Sequence, residues 1–267
     1  MTSYNRCSAT IRCLKNLEIA REDCFKMDIY LVDSDSSDNT VKKVRDNFPE
    51  VKIKLVSRNI FWSKAMNLAW VQSIEEKKGY NFFLWLNNDT YLFKDSLKII
   101  FDDYKKVNSE SIIVGTTENN KKLTYGGRVK LSSEIISPNG IPQKVKFMNG
   151  NCVLIPKNVM NNVGMLDKKF NHSLGDIDYG LRAIEGGISI YISSKIIGNC
   201  EKDNKPWYED QSLSQRLKNL NSPKGVPFNE YFYFNKRHFG FMKALKFIMA
   251  TFIALLFPSI YQLIKSK

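Results

Sequence analysis

Phe82-Phe-Leu-Trp-Leu-Asn-Asn-Asp89 carries five apolar residues straight into two amides and a carboxylate. A continuous apolar run of this kind is read as a buried parallel strand, covered on both faces. In sheets built that way ligands bind outside the carboxyl ends of the strands, which is where Asn87, Asn88 and Asp89 fall. Upstream, Asp28-Ile-Tyr-Leu-Val32 repeats the arrangement and ends in Asp33-Ser-Asp-Ser-Ser-Asp38.

The segments between these runs alternate in period. Val41, Val44 and Phe48 predict a helix over 40–47, and Val51, Ile53 and Leu55 alternate with Lys52 and Lys54 as a strand does. Met66, Ala69, Trp70 and Ile74 share a helical face over 65–77, followed after the apolar run by a helix carrying Leu97, Ile100, Phe101 and Tyr104. A strand at 112–114 completes this half. Strands alternating with helices predict an α/β fold, a mostly parallel central sheet flanked by helices. Residues 116–150 are loop-rich, with Gly126-Gly127, Pro138, Gly140 and Pro142. Beyond them a strand at 152–155, a helix near 157–163, a helix beginning near Asp176 and a strand at 188–192 are expected.

Composition narrows the function. With 267 residues, 43% hydrophobic and 25% charged, the chain has material for a full core and is neither disordered nor a multi-span membrane protein. The net charge of +13 points to polyanions. It is unevenly placed: residues 211–267 hold nine basic side chains against Glu230 alone, and 11 of the 33 aromatics. That tail therefore carries +8 of the excess. Phe247 to Ile264 is free of charge and broken by Pro258, close to the length a spanning helix needs. With Lys243 and Lys246 before it, the tail is expected to lie on an anionic membrane surface as an interfacial helix or shallow hairpin. DNA or RNA is not the expected partner.

Five cysteines without a CxxC pair, and only His172 and His238, argue against a zinc site or a disulfide framework. The first ten residues lack the apolar core of a signal peptide, so the body is expected to be cytoplasmic and reduced. No GxGxxG, GxxxxGK[ST] or GxSxG motif occurs. What remains is carboxylates and amides at strand ends, hard ligands suited to Mg²⁺ or Mn²⁺ on a diphosphate. Ser37 and Asp38 fit helix N-capping as well as they fit a site.

Four segments together carry a resemblance: Thr2-Ser-Tyr-Asn-Arg6, Val32-Asp-Ser-Asp-Ser-Ser-Asp-Asn-Thr40, Leu84-Trp-Leu-Asn-Asn-Asp89 and Gly175-Asp-Ile-Asp-Tyr-Gly-Leu-Arg182. In order and spacing the chain resembles the family 2 glycosyltransferases, whose fold is the GT-A nucleotide-diphospho-sugar transferase fold. Phe61-Trp62, Tyr125-Gly-Gly-Arg128, Met148-Asn-Gly-Asn-Cys152 and Arg237-His-Phe-Gly240 resemble a bacterial, rhamnosyltransferase-like subgroup. The resemblance implies that Thr2, Tyr4 and Asp33 line the base pocket of a nucleotide-diphosphate sugar, with Asn88 at the ribose. Asp89 would hold Mg²⁺ or Mn²⁺ on the diphosphate, Asp176 would be the catalytic base, and Asn149, Gly150 and Asn151 would shape the acceptor or sugar pocket. The chain departs from the family in three places. Met1 directly precedes the first motif, so a shortened first strand is expected; Ser34 and Asn88 replace acids; and Gly175 stands where a Glu is usual.

Asp178 is the second choice for the base. Two helical positions separate it from Asp176, about 200° of rotation, so the two face different ways. Asp178 also lies four residues before Arg182, where an ion pair would occupy it. The expected organisation is a glycosyltransferase domain at 1–210, with a nucleotide-binding half to about 115 and an acceptor half after it, and a membrane-anchoring extension at 211–267. The expected activity is an inverting, metal-dependent transfer to a surface-polysaccharide or lipid-linked glycan acceptor, by a protein peripheral on the inner face of the cell membrane. Self-association into a homo-oligomer is compatible with this. The alternatives are a catalytically silent subunit of a glycan-assembly complex and a nucleotidyltransferase.

Overall fold

The computed structural model describes residues 1–21, 26–107, 110–202, 208, 212–223 and 225–265, which leaves Cys24 outside the described residues. Its contacts separate two compact units, Met1–Lys168 with Gly175–Lys202, and Lys169–Leu174 with Asp203–Lys267.

The first unit opens with β1 (Thr2–Ser3), α1 (Cys7–Ala20), β2 (Tyr30–Asp33), α2 (Thr40–Asn47) and β3 (Lys52–Leu55). The strands form a parallel sheet in the order β1-β2-β3, with Thr2 opposite Val32 and Tyr30 opposite Lys52. The first strand is short, as expected, yet it keeps its register with β2. Helix α1 was not anticipated, although its pattern is legible: Thr10, Cys13, Leu14 and Leu17 are buried at the i, i+3, i+4, i+7 spacing of one helical face.

The chain continues through α3 (Trp62–Glu75), β4 (Phe82–Leu86), β5 (Thr90–Leu92), α4 (Ser96–Lys106), β6 (Ile112–Asn119), β7 (Lys122–Tyr125), β8 (Gly127–Arg128), β9 (Gln143–Val145), β10 (Phe147–Met148), β11 (Cys152–Pro156), α5 (Lys157–Val163), α6 (Gly175–Glu185) and β12 (Ile190–Cys200). Seven of these strands form one sheet in the order β4-β11-β6-β12-β5, with β7 added at β6 and β9 at β12. The sheet is mixed and not mostly parallel: within it only β6 and β12 run parallel. The run 82–86 is a buried strand, but its partner β11 is antiparallel to it. An unbroken apolar run reports that both faces are covered, and it carries no information about strand direction.

Both faces of β4 and β11 are indeed covered. Leu86, Cys152 and Leu154 join the core beneath α1 and α4, with Leu14, Leu17, Leu97 and Ile100. Phe83, Trp85, Val153 and Ile155 join the opposite core, with Met66, Trp70, Tyr179 and Ile190. Each such large side chain removed from water contributes about 1.5–3 kcal/mol before entropy is set against it.

The second unit holds α7 (Leu213–Leu220), α8 (Phe228–Phe239), α9 (Phe241–Leu256) and α10 (Pro258–Lys265). Tyr231 of α8 stacks on Phe247 of α9 at 5.2 Å, and Phe170 meets Phe234 edge to face at 6.3 Å. No helix among the described residues is long and apolar enough to cross a membrane.

A buried charge locks α4 to the sheet. Asp103 is fully buried and accepts the Ser194 backbone N–H at 2.6 Å, where β12 shifts register against β6. Replacing it leaves that N–H without its partner, so Asp103→Ala is expected to lower the urea midpoint by the equivalent of about 2 kcal/mol with an unchanged slope. An unaltered midpoint would show the contact to be dispensable.

Candidate active site

The site begins where β1 and β2 end. Asp33 is fully buried and accepts from Ser3 Oγ at 2.6 Å, Ser36 N–H at 2.8 Å and Ser36 Oγ at 2.7 Å. Expected to line the base pocket, it braces the loop after β2 through these donors of its own chain. Asn5 adopts φ 47°, in the left-handed region that asparagine tolerates, and its side-chain amide oxygen Oδ1 accepts from the backbone N–H groups of Ser37 and Asp38. Asp38 accepts the N–H groups of both Cys7 and Thr40, so one carboxylate caps the starts of α1 and α2. The capping reading of Asp38 therefore holds, and it spans two helices. Thr2 lies half-buried in β1, and Tyr4 stands 44% exposed beyond it. Arg58, which the sequence reading did not single out, stands near Tyr4 and donates twice to Asp35.

The second part lies at the end of β4. Asn87 accepts the Trp62 indole N–H at 2.6 Å and donates its backbone N–H to the Asn151 carbonyl at 2.9 Å. Asn88, expected at the ribose, points inward, and its amide donates to Thr10 Oγ1 at 2.8 Å. Asp89 remains about one-third exposed (32%) and pairs with Arg6 at 2.5 Å. Behind it the thiol of Cys200 is held protonated, pushed up to about 12 by burial and then by the charge of Asp89.

The third part is the turn after β10 with the first turn of α6. Asp176 accepts the Gly150 N–H at 2.8 Å and the Ile177 N–H at 2.9 Å. It keeps part of its surface, yet it is packed closely enough that desolvation raises its carboxyl above the ordinary value, against the pull of those two amides and of Arg128. Arg128 is itself lowered by burial, and it donates to Asn149 at 3.1 Å. Asn151 is buried against Cys200. Gly150 has no room for a side chain: a Cβ there would meet the Trp62 ring at 2.4 Å and the Cβ of Asp176 at 3.1 Å.

Asp178 is fully buried and bound by Arg182 Nε at 2.8 Å, while the same guanidinium donates to the carbonyls of Val163 and Met165. The i, i+4 spacing thus occupies Asp178 structurally and leaves Asp176 facing the turn at 149–151. Trp62, Arg6 and Arg128 complete the site without having been assigned a role from sequence. The signal for all three was present in the segments 2–6, 61–62 and 125–128, but the pairing of Arg6 with Asp89 spans 83 positions and has no local pattern.

The donor set fits a divalent cation of one kind. Among the described residues no group of three His, Cys, Asp or Glu side chains gathers to cage an ion. Asp89 offers one hard, solvent-facing carboxylate, which suits Mg²⁺ or Mn²⁺ keeping its waters and completing its shell with phosphate oxygens.

These environments separate the two aspartates by stability. Removing Arg182 takes the ion-pair partner from a buried Asp178, so Arg182→Ala is expected to cost about 3–5 kcal/mol. Asp176 has the opposite sign. A carboxyl raised in the folded state binds more protons there than in the unfolded chain, so it lowers stability as pH climbs from the ordinary value of 3.8. Asp176→Asn should match or exceed the parent melting temperature at pH 7 and lose that advantage towards pH 4. A loss of stability at pH 7 as large as that of Arg182→Ala would contradict this.

The glycosyl transferase family 2 model matches residues 1–170. No curated protein matches the chain. Among solved structures the fold is similar to S. aureus TarS, with a TM-score of 0.57 and 15% identity over 90% of this chain and 43% of that one. The TarS 1–349 fragment in complex with UDP-GlcNAc matches with a TM-score of 0.56 and 14% identity, over 90% of this chain and 71% of the fragment. GalNAc-T7 with UDP, GalNAc and Mn²⁺ matches with a TM-score of 0.60 and 12% identity, over 88% and 49%. At such identities the structural likeness speaks for the fold, and this chain spans less than half the length of the TarS chain it matches first. The family match covers well over half of the sequence: the chain belongs to glycosyl transferase family 2.

Proposed function

We propose that the protein transfers one sugar, a hexose or a deoxyhexose such as rhamnose, from a nucleotide-diphosphate donor to a surface-polysaccharide or lipid-linked glycan, with inversion at the anomeric carbon. The observation that carries this reading is Asp176, a carboxylate of raised basicity fixed on the Gly150 N–H. It sits beside the strand end that presents Asp89, because Asn87 and Asn151 bond through their backbones. The structures of TarS with UDP-GlcNAc and of GalNAc-T7 with UDP and Mn²⁺ support a nucleotide-sugar donor for the family fold.

Asp176 takes the proton of the acceptor hydroxyl as that oxygen attacks the anomeric carbon, and the bond from that carbon to the diphosphate oxygen breaks on the opposite side. A raised carboxyl is a better base than an ordinary one while it stays ionised near neutral pH. The N–H groups of Gly150 and Ile177 hold its orientation. Asp89 would hold Mg²⁺ or Mn²⁺, which supplies charge neutralisation to the departing diphosphate. Exposed Tyr4 and Arg58, with half-buried Thr2, form the rim available to a base.

Attachment to the inner face of the membrane belongs to the same reading. On α9, Phe241, Met242, Leu245, Met249, Phe252 and Leu256 are all at least 40% exposed. At 3.6 residues per turn they fall within an arc of about 100°. Ile260, Leu263 and Ile264 form a similar exposed stripe on α10. The 16 residues of α9 reach about 24 Å, short of a bilayer core of roughly 30 Å, so an in-plane helix suits them better than a spanning one. Lys246, exposed, lies about 40° beyond the edge of the stripe, where it reaches anionic headgroups, whereas Lys243 is exposed on the other side of the helix.

Incubation with a panel of nucleotide sugars and Mn²⁺ or Mg²⁺ tests the chemistry. Asp176→Asn should keep donor binding and cut turnover by about 10²- to 10⁴-fold. Donor binding with no turnover, indifferent to that change, would point to a silent subunit instead. For the membrane, the protein should float with vesicles of phosphatidylcholine plus phosphatidylglycerol and less well in high salt. The double change Met249→Asp with Phe252→Asp should abolish flotation. Failure of the parent protein to float would remove the anchor.

A further inference from the structure

The proposed metal carboxylate already has a cation. Arg6 Nη1 meets Asp89 Oδ2 at 2.5 Å, the two side chains being 43% and 32% exposed. Among the described residues, Oδ1 of Asp89 has only the distant Cys200 thiol, at 3.9 Å. Its neighbours are neutral amides, with Asn87 committed to Trp62 and Asn88 to Thr10. The single negative charge of this strand end is therefore cancelled before any divalent ion arrives.

The backbone of Arg6 is held in place by several bonds, whereas its side chain is exposed and tied by the one ion pair. The Arg6 carbonyl accepts from the N–H and the hydroxyl of Thr10, both at 2.9 Å. On one side the Asn5 N–H is tied to Ser36 Oγ, and on the other the Cys7 N–H is tied to Asp38. A long, exposed guanidinium on a fixed backbone can change partners without the loop moving.

We propose that Arg6 is a tethered cation that competes with the divalent ion for Asp89 and passes to the donor's diphosphate when that ion binds. This rests on the reading of Asp89 as the ion's ligand. An arginine suits the second partner as well as the first, because its fork of N–H groups matches carboxylate and phosphate oxygens alike. The consequence is coupling: the metal alone meets a neutral site and binds weakly, whereas metal and diphosphate together satisfy both Asp89 and Arg6. By linkage each strengthens the other.

Mn²⁺ binding followed by electron paramagnetic resonance tests this on the full chain, for the parent, Arg6→Gln and Arg6→Lys. Each is titrated with and without inorganic pyrophosphate, whose own Mn²⁺ complex is subtracted. Arg6→Gln should bind Mn²⁺ alone about fivefold tighter or more, the lower end of ordinary coupling, and should gain less from pyrophosphate than the parent does. Arg6→Lys should stay near the parent. Equal or weaker Mn²⁺ affinity in a folded Arg6→Gln, judged by its circular dichroism, would overturn the proposal: Arg6 would then merely orient Asp89. Absence of Mn²⁺ binding in every variant, with pyrophosphate present, would overturn it too. In that case UDP binding in the presence of a chelator would still leave the nucleotide-sugar reading standing, and loss of UDP binding as well would remove both.

Discussion

The antiparallel pairing of β4 with β11 is the constraint on which the site depends. Leu86 lies opposite Cys152, so the chain leaving β4 at Asn87 and the chain entering β11 at Asn151 meet at one edge, joined by the Asn87 N–H to Asn151 carbonyl bond. More than sixty residues separate them in sequence. The pairing is fixed by burial: alternate side chains of each strand feed two different cores, and a shift of one residue would exchange every one of them between the two cores. Asp89 and the Gly150–Asp176 contact come together because that register does not slip.

Aromatic packing turns the juxtaposition into a shape. Trp62, Trp85, Trp70 and Tyr179 are in mutual edge or tilted contact with centroids 5.1–6.3 Å apart, linking α3, β4 and α6 beneath the site. Trp62 is the outermost of the four. Its N–H holds Asn87 and its ring covers Gly150, so the strand end and the turn that presents an N–H to Asp176 share one rigid neighbour. Any side chain at position 150 would push those parts away from each other.

Charge is handled differently in different places. Asp33 and Asp178 are buried and bonded to donors of the chain, and the exposed Asp38 accepts from the starts of two helices. Asp89 and Asp176 each retain access to solvent, one paired with an exposed arginine and the other raised by its surroundings. The five acids are chemically identical, and the number and placement of their donors separates their environments. In the second unit the excess of basic residues accompanies a run of exposed apolar side chains.

Much of this was legible in the chain itself. The helices over 40–47 and 157–163, the strand over 82–86, and the occupation of Asp178 by Arg182 follow from side-chain period and the i, i+4 rule, which are local. The strand-end positions of 33–38 and 87–89 follow from where apolar runs stop. Strand direction did not, because an apolar run records burial and nothing about its partner's polarity. Nor did the bonding of Asp33 to Ser3 and Ser36, the inward turn of Asn88 onto Thr10, or the reach of Arg6 to Asp89 across 83 positions. The sequence by itself determined which residues could carry the chemistry; the tertiary structure decided which of them are left able to, since a carboxylate's reactivity depends on donors that arrive from distant parts of the chain.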